Sequence, residues 1–140
     1  MKLSYLNMVF LVLVLAGCGG EEDGNDPSGQ PSSADWNGTF SERDTTFTEV
    51  VEDRLAVLRW RENNETFSGK LTSHGVAGER RVFRYLDGKK HGLCIMVDQA
   101  GARTETNYRE GLEHGSHVMF GRDGKERFRW RYDNGKMMKE

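Results

Sequence analysis

One short pattern occurs three times in the second half of the chain, as Tyr85-Leu86-Asp87-Gly88, Tyr108-Arg109-Glu110-Gly111 and Tyr132-Asp133-Asn134-Gly135. The final glycines of these copies are separated by 23 and then by 24 residues. Similarity at a fixed period of this size is the signature of a repeat architecture, in which one structural unit is stacked several times. The stretch from residue 85 to residue 135 therefore decides the fold.

Two further columns of glycines follow the same period of 23 residues. Tight hairpin turns need a positive φ, which glycine adopts without a Cβ clash, so two turns are predicted in each repeat, one at Gly88, Gly111 and Gly135 and the other at Gly78, Gly101 and Gly124. The runs between the turns, such as Leu93 to Val97, are rich in β-branched and aromatic residues. The expected turn and repeat glycines are Gly69, Gly78, Gly88, Gly92, Gly101, Gly111, Gly115, Gly124 and Gly135.

Each repeat is thus expected to be one β-hairpin, and the fold class to be all-β. Successive hairpins predict an antiparallel meander in a single-layer or twisted open sheet. The last repeat has one extra residue, because eight positions lead from Gly124 to Tyr132 where seven lead from Gly101 to Tyr108. A β-bulge in the last repeat is expected to absorb it.

The spacing Tyr-x2-Gly-x3-Gly, followed by a later glycine turn, resembles the bacterial variant of the MORN repeat, with similarity over about residues 50–136. The chain departs from the family pattern two positions after the second glycine, where Leu71, Cys94 and His117 replace the usual Trp or Tyr. The resemblance implies a non-catalytic interaction module, without a cofactor. Some members of the family are antitoxins, so neutralisation of a toxin is the alternative function that it implies.

The first 17 residues have the pattern of an export signal, with Lys2 before an apolar run that is too short to span a bilayer. Leu15-Ala16-Gly17-Cys18 resembles a bacterial lipoprotein signal, in which Cys18 is acylated and becomes the mature N-terminus. The alternative is an ordinary secretory signal with an incidental cysteine. We expect lipid on Cys18 and attachment to the bacterial cell envelope, at the outer membrane because Gly19 follows the cysteine.

Residues 18–37 are rich in glycine, serine, proline and acids, which predicts a flexible acidic tether. A lead-in segment follows at 38–66, and the repeats occupy 67–140. Within the lead-in, Val50 to Trp60 fits either a hairpin that turns at Asp53-Arg54 or a short helix. We favour strands.

The last repeat carries the most distinctive chemistry, in Phe128-Arg129-Trp130-Arg131-Tyr132. Strand alternation places the aromatic residues on one face and the arginines on the other. This pattern is typical either of a core stripe backed by a solvated face or of an interaction surface, since Arg and aromatic residues are enriched at interface hot spots. The residues of the predicted interaction face are Tyr85, Tyr108, Arg127, Phe128, Arg129, Trp130, Arg131 and Tyr132.

Other kinds of site have little support in the sequence. The four histidines lack the spacing of zinc ligands, and His91 and His114 occupy equivalent positions next to repeat glycines, so no metal site is expected. No nucleophile motif or phosphate loop is present, so we expect no catalytic residues and no enzyme. Cys94 is expected to be a small buried residue without a disulfide partner. We expect an envelope protein as partner and no nucleic acid, while the oligomeric state stays open.

Overall fold

The computed structural model describes residues 35–139. Within them it contains one helix and eleven strands: β1 (Trp36–Thr39), α1 (Phe40–Thr46), β2 (Phe47–Glu52), β3 (Leu55–Trp60), β4 (Gly69–His74), β5 (Arg80–Leu86), β6 (Lys89–Lys90), β7 (Gly92–Val97), β8 (Arg103–Arg109), β9 (Leu112–Phe120), β10 (Glu126–Asp133) and β11 (Lys136–Met138). The expectation of an all-β fold is confirmed. The predicted signal, Cys18 and most of the tether lie outside the described residues.

The repeats form an open, nine-stranded sheet in the order β1-β4-β5-β7-β8-β9-β10-β11, with β6 paired to β5. All neighbours from β4 onward are antiparallel and follow the chain, which confirms the meander of hairpins. Only β1 joins in parallel, along β4 at the other edge. The two edge strands, β1 and β11, are short, as is usual where a sheet edge is left open.

The turn at Glu110-Gly111 shows how the repeated glycines act. Glu110 has φ +52° and Gly111 has φ +87°, so both central residues are left-handed, as in the turns that match the twist of a hairpin. The other two copies have the same conformation. Each turn also bonds to the preceding unit, because the N–H groups of Gly88, Gly111 and Gly135 donate to the carbonyls of Phe67, Lys90 and Glu113 at 2.8, 2.9 and 2.9 Å.

Each repeat tyrosine lies opposite a glycine on the neighbouring strand. The pairs are Gly69 with Tyr85, Gly92 with Tyr108, and Gly115 with Tyr132. Directly opposed side chains share one face of a sheet, and a glycine leaves room there for a large ring. The face that carries these tyrosines is called the tyrosine face below.

The extra residue of the last repeat is absorbed as expected. The register between β9 and β10 shifts between Glu126 and Phe128, where two steps on β10 match one step from Phe120 to Met119. This β-bulge confirms the prediction. It leaves Phe128 and Trp130 on the tyrosine face, opposite Met119 and His117.

The lead-in contains both expected and unexpected elements. β2 and β3 form a hairpin that turns at Asp53-Arg54, which confirms strands over a helix. The helix α1 was not anticipated. It begins with a capping box, in which Thr39 and Glu42 exchange side-chain and backbone hydrogen bonds. β1 begins at Trp36, within the stretch that the sequence assigned to the tether.

The core lies between the lead-in and the first repeat. Phe47, Leu58, Phe67, Leu71 and Tyr85 form one buried cluster. The Phe67 ring lies 5.1 Å from the Phe47 ring and 5.9 Å from the Tyr85 ring. Since Leu71 and Tyr85 belong to the tyrosine face, the β2–β3 hairpin covers that face over β4 and β5.

Candidate functional site

The lead-in hairpin covers the tyrosine face over β4 and β5 but does not cover it from β8 to β11. Several of its side chains there are large and apolar, yet Phe128 is 58% exposed and Met137 is 54% exposed. Trp130 and Tyr132 are half-buried. We call this region the uncovered surface, and its residues are Tyr108, His117, Met119, Phe128, Trp130, Tyr132 and Met137.

The rings of the uncovered surface form a connected group. Phe128 stacks on Trp130 with 5.5 Å between ring centroids, and His117 meets Trp130 edge to face at 5.5 Å. The imidazole of His117 also lies 6.0 Å from the ring of Tyr132. Its Nδ1 is 3.1 Å from Oγ1 of Thr106, a buried residue of β8. The aromatic side chains therefore support one another in fixed orientations while their outer surfaces remain open to solvent.

The arginines of the last repeat do not join this aromatic group. Arg129 and Arg131 lie opposite Val118 and Ser116, on the other face of the sheet, as the alternation predicted. Arg129 donates to Glu126 at 2.6 and 3.0 Å. Arg127, at the bulge, donates to Asp123 at 2.9 Å. For Arg131 no partner is present among residues 35–139.

The prediction that Tyr85 belongs to the interaction face is wrong. Tyr85 is 6% exposed and belongs to the core, because the lead-in hairpin covers this part of the tyrosine face. Burial raises the pKa of its hydroxyl well above the usual value. Tyr108, one repeat further on, is half-buried, and its partial burial, with a smaller effect of the nearby Glu113 carboxylate, raises its pKa to about 12.

A shallow depression of about 310 Å³ adjoins the uncovered surface at Met119, at the end of the strands that lies away from Tyr108 and Tyr132. Arg81, Met96, Thr104 and Met119 line it on the tyrosine face, together with loop residues such as Asp98. Met96 is 43% exposed. The depression therefore extends the apolar area of the tyrosine face and adds charged groups at its rim.

Two of the histidines lie beside a polar side chain, and the cysteine is buried. His114 places Nδ1 3.2 Å from Oδ1 of Asp133, and His74 places Nε2 2.9 Å from Oδ1 of Asn37. Between residues 35 and 139, no three side chains of the metal-ligating types come together. Cys94 is buried, as predicted, and burial raises the pKa of its thiol.

Sequence reasoning missed part of the surface. The exposed methionines Met96, Met119 and Met137 were not singled out, although strand alternation places each of them on the same face of the sheet as the predicted aromatic residues. Pairing Met119 with Phe128 needs the bulge to be placed first. Glu113 was also missed, and the signal that identifies it is the 23-residue period, which aligns it with Phe67 and Lys90.

Comparison of the chain with models of protein families gave no match, and a search of curated proteins gave none either. Among the described residues, the structure has no helix with the length and apolar character needed to cross a membrane.

Proposed function

We propose that this protein is a membrane-anchored lipoprotein whose MORN-like repeat sheet is a non-catalytic platform for protein–protein interaction in the cell envelope. The observation that supports this proposal is the uncovered surface. Monomeric proteins seldom leave connected aromatic side chains and methionines open to solvent unless these residues bind something. Aromatic residues and Met are also enriched in the cores of protein interfaces.

The geometry of the sheet favours a protein as the partner. The uncovered surface spans the four strands β8 to β11 of an open sheet, and a shallow depression lies beside it. Small molecules bind in concave pockets that enclose most of their surface, whereas proteins bind extended surfaces around a few aromatic anchors. Trp130 is the expected anchor, because it lies at the centre of the ring group.

Anchoring is the second part of the proposal. Acylation of Cys18 holds the chain at the outer membrane, and several acyl chains on one residue give stable attachment where a single chain does not. About 17 residues separate Cys18 from β1. The composition of these residues predicts a tether, which would hold the sheet roughly 20–25 Å from the lipid, within reach of other envelope proteins.

The test is a crosslinked pull-down of the intact, lipidated protein from its native envelope. The variant Trp130→Ala removes the anchor, and Arg131→Ala is the matched control, since it changes the next residue of the same strand on the opposite face. We expect a discrete partner with the wild type and the control, and its loss with Trp130→Ala. Thermal unfolding of both variants shows whether they fold.

Three results would count against the platform. These are an equal loss of partner with Arg131→Ala, retention of the partner with Trp130→Ala, and unfolding of Trp130→Ala at ordinary temperature, which would make Trp130 a core residue. A toxin recovered as the partner would instead support the alternative function, that of an antitoxin or immunity-like protein. Such a toxin has to act in the envelope if the chain is anchored there.

A further inference from the structure

One position of the repeat accepts a backbone hydrogen bond from the turn that follows each repeat tyrosine. The N–H of the turn glycine that follows Tyr85, Tyr108 or Tyr132 donates to the carbonyl of residue 67, 90 or 113, respectively. These three residues are 23 positions apart. Lys90 lies opposite Tyr85, and Glu113 lies opposite Tyr108, in the same register. The three side chains are therefore equivalent in the fold, although they are Phe, Lys and Glu.

In the first two repeats this side chain contacts the tyrosine whose turn glycine donates to its carbonyl, which is Tyr85 for Phe67 and Tyr108 for Lys90. The Phe67 ring meets the Tyr85 ring edge to face at 5.9 Å. The ammonium Nζ of Lys90 lies 5.2 Å from the centroid of the Tyr108 ring and 4.7 Å from that of Phe83. A cation at this distance from a ring face is attracted by the electron-rich π system. In the second repeat the protein thus supplies its own cation to its aromatic rings.

The third repeat has the opposite charge at this position. Glu113 places Oε1 3.8 Å from Nδ1 of His117, which is too long for a hydrogen bond, and that nitrogen already contacts Thr106. Across residues 35–139, no hydrogen bond reaches the Glu113 carboxylate and no Lys or Arg pairs with it. Its side chain is 31% exposed. Among residues 35–139 the Glu113 carboxylate thus has His117 as its one ion-pair partner and no Lys or Arg, and it lies opposite Tyr108 of the uncovered surface.

We propose that this end of the tyrosine face binds a cationic side chain, best an arginine, that a partner protein inserts between Glu113 and the rings of Trp130 and Tyr132. The inference rests on the proposed function and names the chemistry of its partner. A guanidinium satisfies both parts of such a site, since it stacks on aromatic rings and forms paired hydrogen bonds with a carboxylate. The bound arginine takes the place that Lys90 has in the second repeat.

The surroundings of Glu113 are compatible with an added positive charge. Arg129 and Arg131 lie on the opposite face of the sheet. Lys90 is directed to the rings of Phe83 and Tyr108 and makes no ion pair with Glu113. His117 is the base that lies within 3.8 Å of the carboxylate. The apolar side chains of Met119, Phe128 and Met137 extend the surface well beyond one head group, which favours a protein over a choline lipid as the source of the cation.

The inference is tested by titrating the full chain, in a neutral detergent, with N-acetyl-arginine methylamide. Binding is followed by NMR at the indole N–H of Trp130, which is assigned with Trp130→Phe. The citrulline analogue is the neutral probe of the same shape. We expect a saturable shift with the arginine probe alone, about tenfold weaker binding in Glu113→Gln, and no change in Glu126→Gln, whose carboxylate lies on the opposite face.

A reciprocal variant provides a gain of function. Lys90→Glu removes the cation of the second repeat and leaves a carboxylate beside the rings of Phe83 and Tyr108, so we expect a second site for the arginine probe, detected at the Tyr108 ring. Glu113→Lys is expected to fill the third site with the protein's own ammonium and to abolish binding there.

The inference is overturned if the arginine and citrulline probes shift the Trp130 indole equally, if no saturable shift occurs, or if Glu113→Gln binds like the wild type. It is also overturned if phosphocholine binds the site more tightly than the arginine probe, which would indicate a lipid head group. In the envelope pull-down, a partner held equally by wild type and Glu113→Gln but lost with Trp130→Ala refutes the cationic site and supports the platform. Retention of the partner with Trp130→Ala refutes the platform itself.

Discussion

The first and third repeats have the same backbone plan and very different environments. In both, a tyrosine lies opposite a glycine and a left-handed turn follows it. Tyr85 in the first repeat is nevertheless 6% exposed, whereas the equivalent Tyr132 in the third is half-buried and Phe128 on the same strand is 58% exposed. The difference arises from the β2–β3 hairpin, which covers the first repeat and ends before the third. In this protein, burial depends on what packs over a strand, and the repeat pattern alone does not determine it.

The largest expected difference between the two regions is in side-chain truncation. Phe67→Ala removes a ring with 0% exposure and should lower the free energy of unfolding by about 3–5 kcal/mol. Phe128→Ala should lower it by less than about 1 kcal/mol, because its ring is already largely in water. Urea denaturation followed by tryptophan fluorescence measures both. Similar losses would mean that the third repeat has a core of its own.

The turn glycines give a smaller difference. A Cβ at Gly88 would lie 2.5 Å from Cγ1 of Val57 and 2.8 Å from the Leu58 carbonyl, but at Gly111 the nearest atom is 3.6 Å away. Both glycines have positive φ, so alanine has the same backbone strain at either position. Gly88→Ala should therefore cost about 2–4 kcal/mol and Gly111→Ala about 1 kcal/mol. Equal costs in urea denaturation would argue against close packing of the lead-in on the Gly88 turn.

The loss of folding stability at alkaline pH should depend on Tyr108, which lies between the two regions. In the folded chain the pKa of Tyr108 is raised to about 12, whereas tyrosines of an unfolded chain titrate near pH 10. The stabilisation is therefore complete below pH 10 and is lost as the pH rises towards 12. Tyr108→Phe should lose less of its free energy of unfolding between pH 10 and 12 than the wild type. Buried Tyr85 should account for the loss that remains. An unchanged slope between pH 10 and 12 would contradict the half-buried position of Tyr108.

The smallest expected effect is a gain in stability. The lead-in turns at Asp53 and Arg54 with φ +49° and +68°, so it has the conformation of the repeat turns without their glycine. Arg54→Gly should raise the free energy of unfolding by about 0.5–1 kcal/mol, because glycine adopts this conformation without a Cβ clash. The thermal midpoint measures the change. A lower midpoint would mean that the Arg54 side chain makes a stabilising contact.

Much of the fold could be predicted because its signals are local. The glycine columns specify turns, the alternation specifies strands, and the one-residue excess before Tyr132 specifies the bulge. Two elements were not anticipated. Parallel pairing of β1 with β4 joins residues 35 positions apart, such as Trp36 and Leu71, which no local pattern reports. The helix α1 is short, although Thr39 and Glu42 have the spacing of a capping box that would have located its start.

The candidate site was predictable in part. Alternation along β10 correctly separates Trp130 from Arg131, since it depends only on strand geometry. It fails for Tyr85, because the cover over that residue comes from a distant part of the chain. The repeat period aligns Glu113 with Lys90, but recognising that these side chains face successive tyrosines requires the pairing of the strands.

The most direct test of the central claim is photo-crosslinking in living cells of the source organism. A photoreactive benzoyl-phenylalanine replaces Phe128 on the uncovered surface in one strain and Arg131, on the opposite face of the same strand, in another. We expect a discrete crosslinked adduct from position 128 and none from position 131. Adducts of equal yield from both positions, or none from position 128, would contradict the claim that the uncovered tyrosine face is the interaction surface.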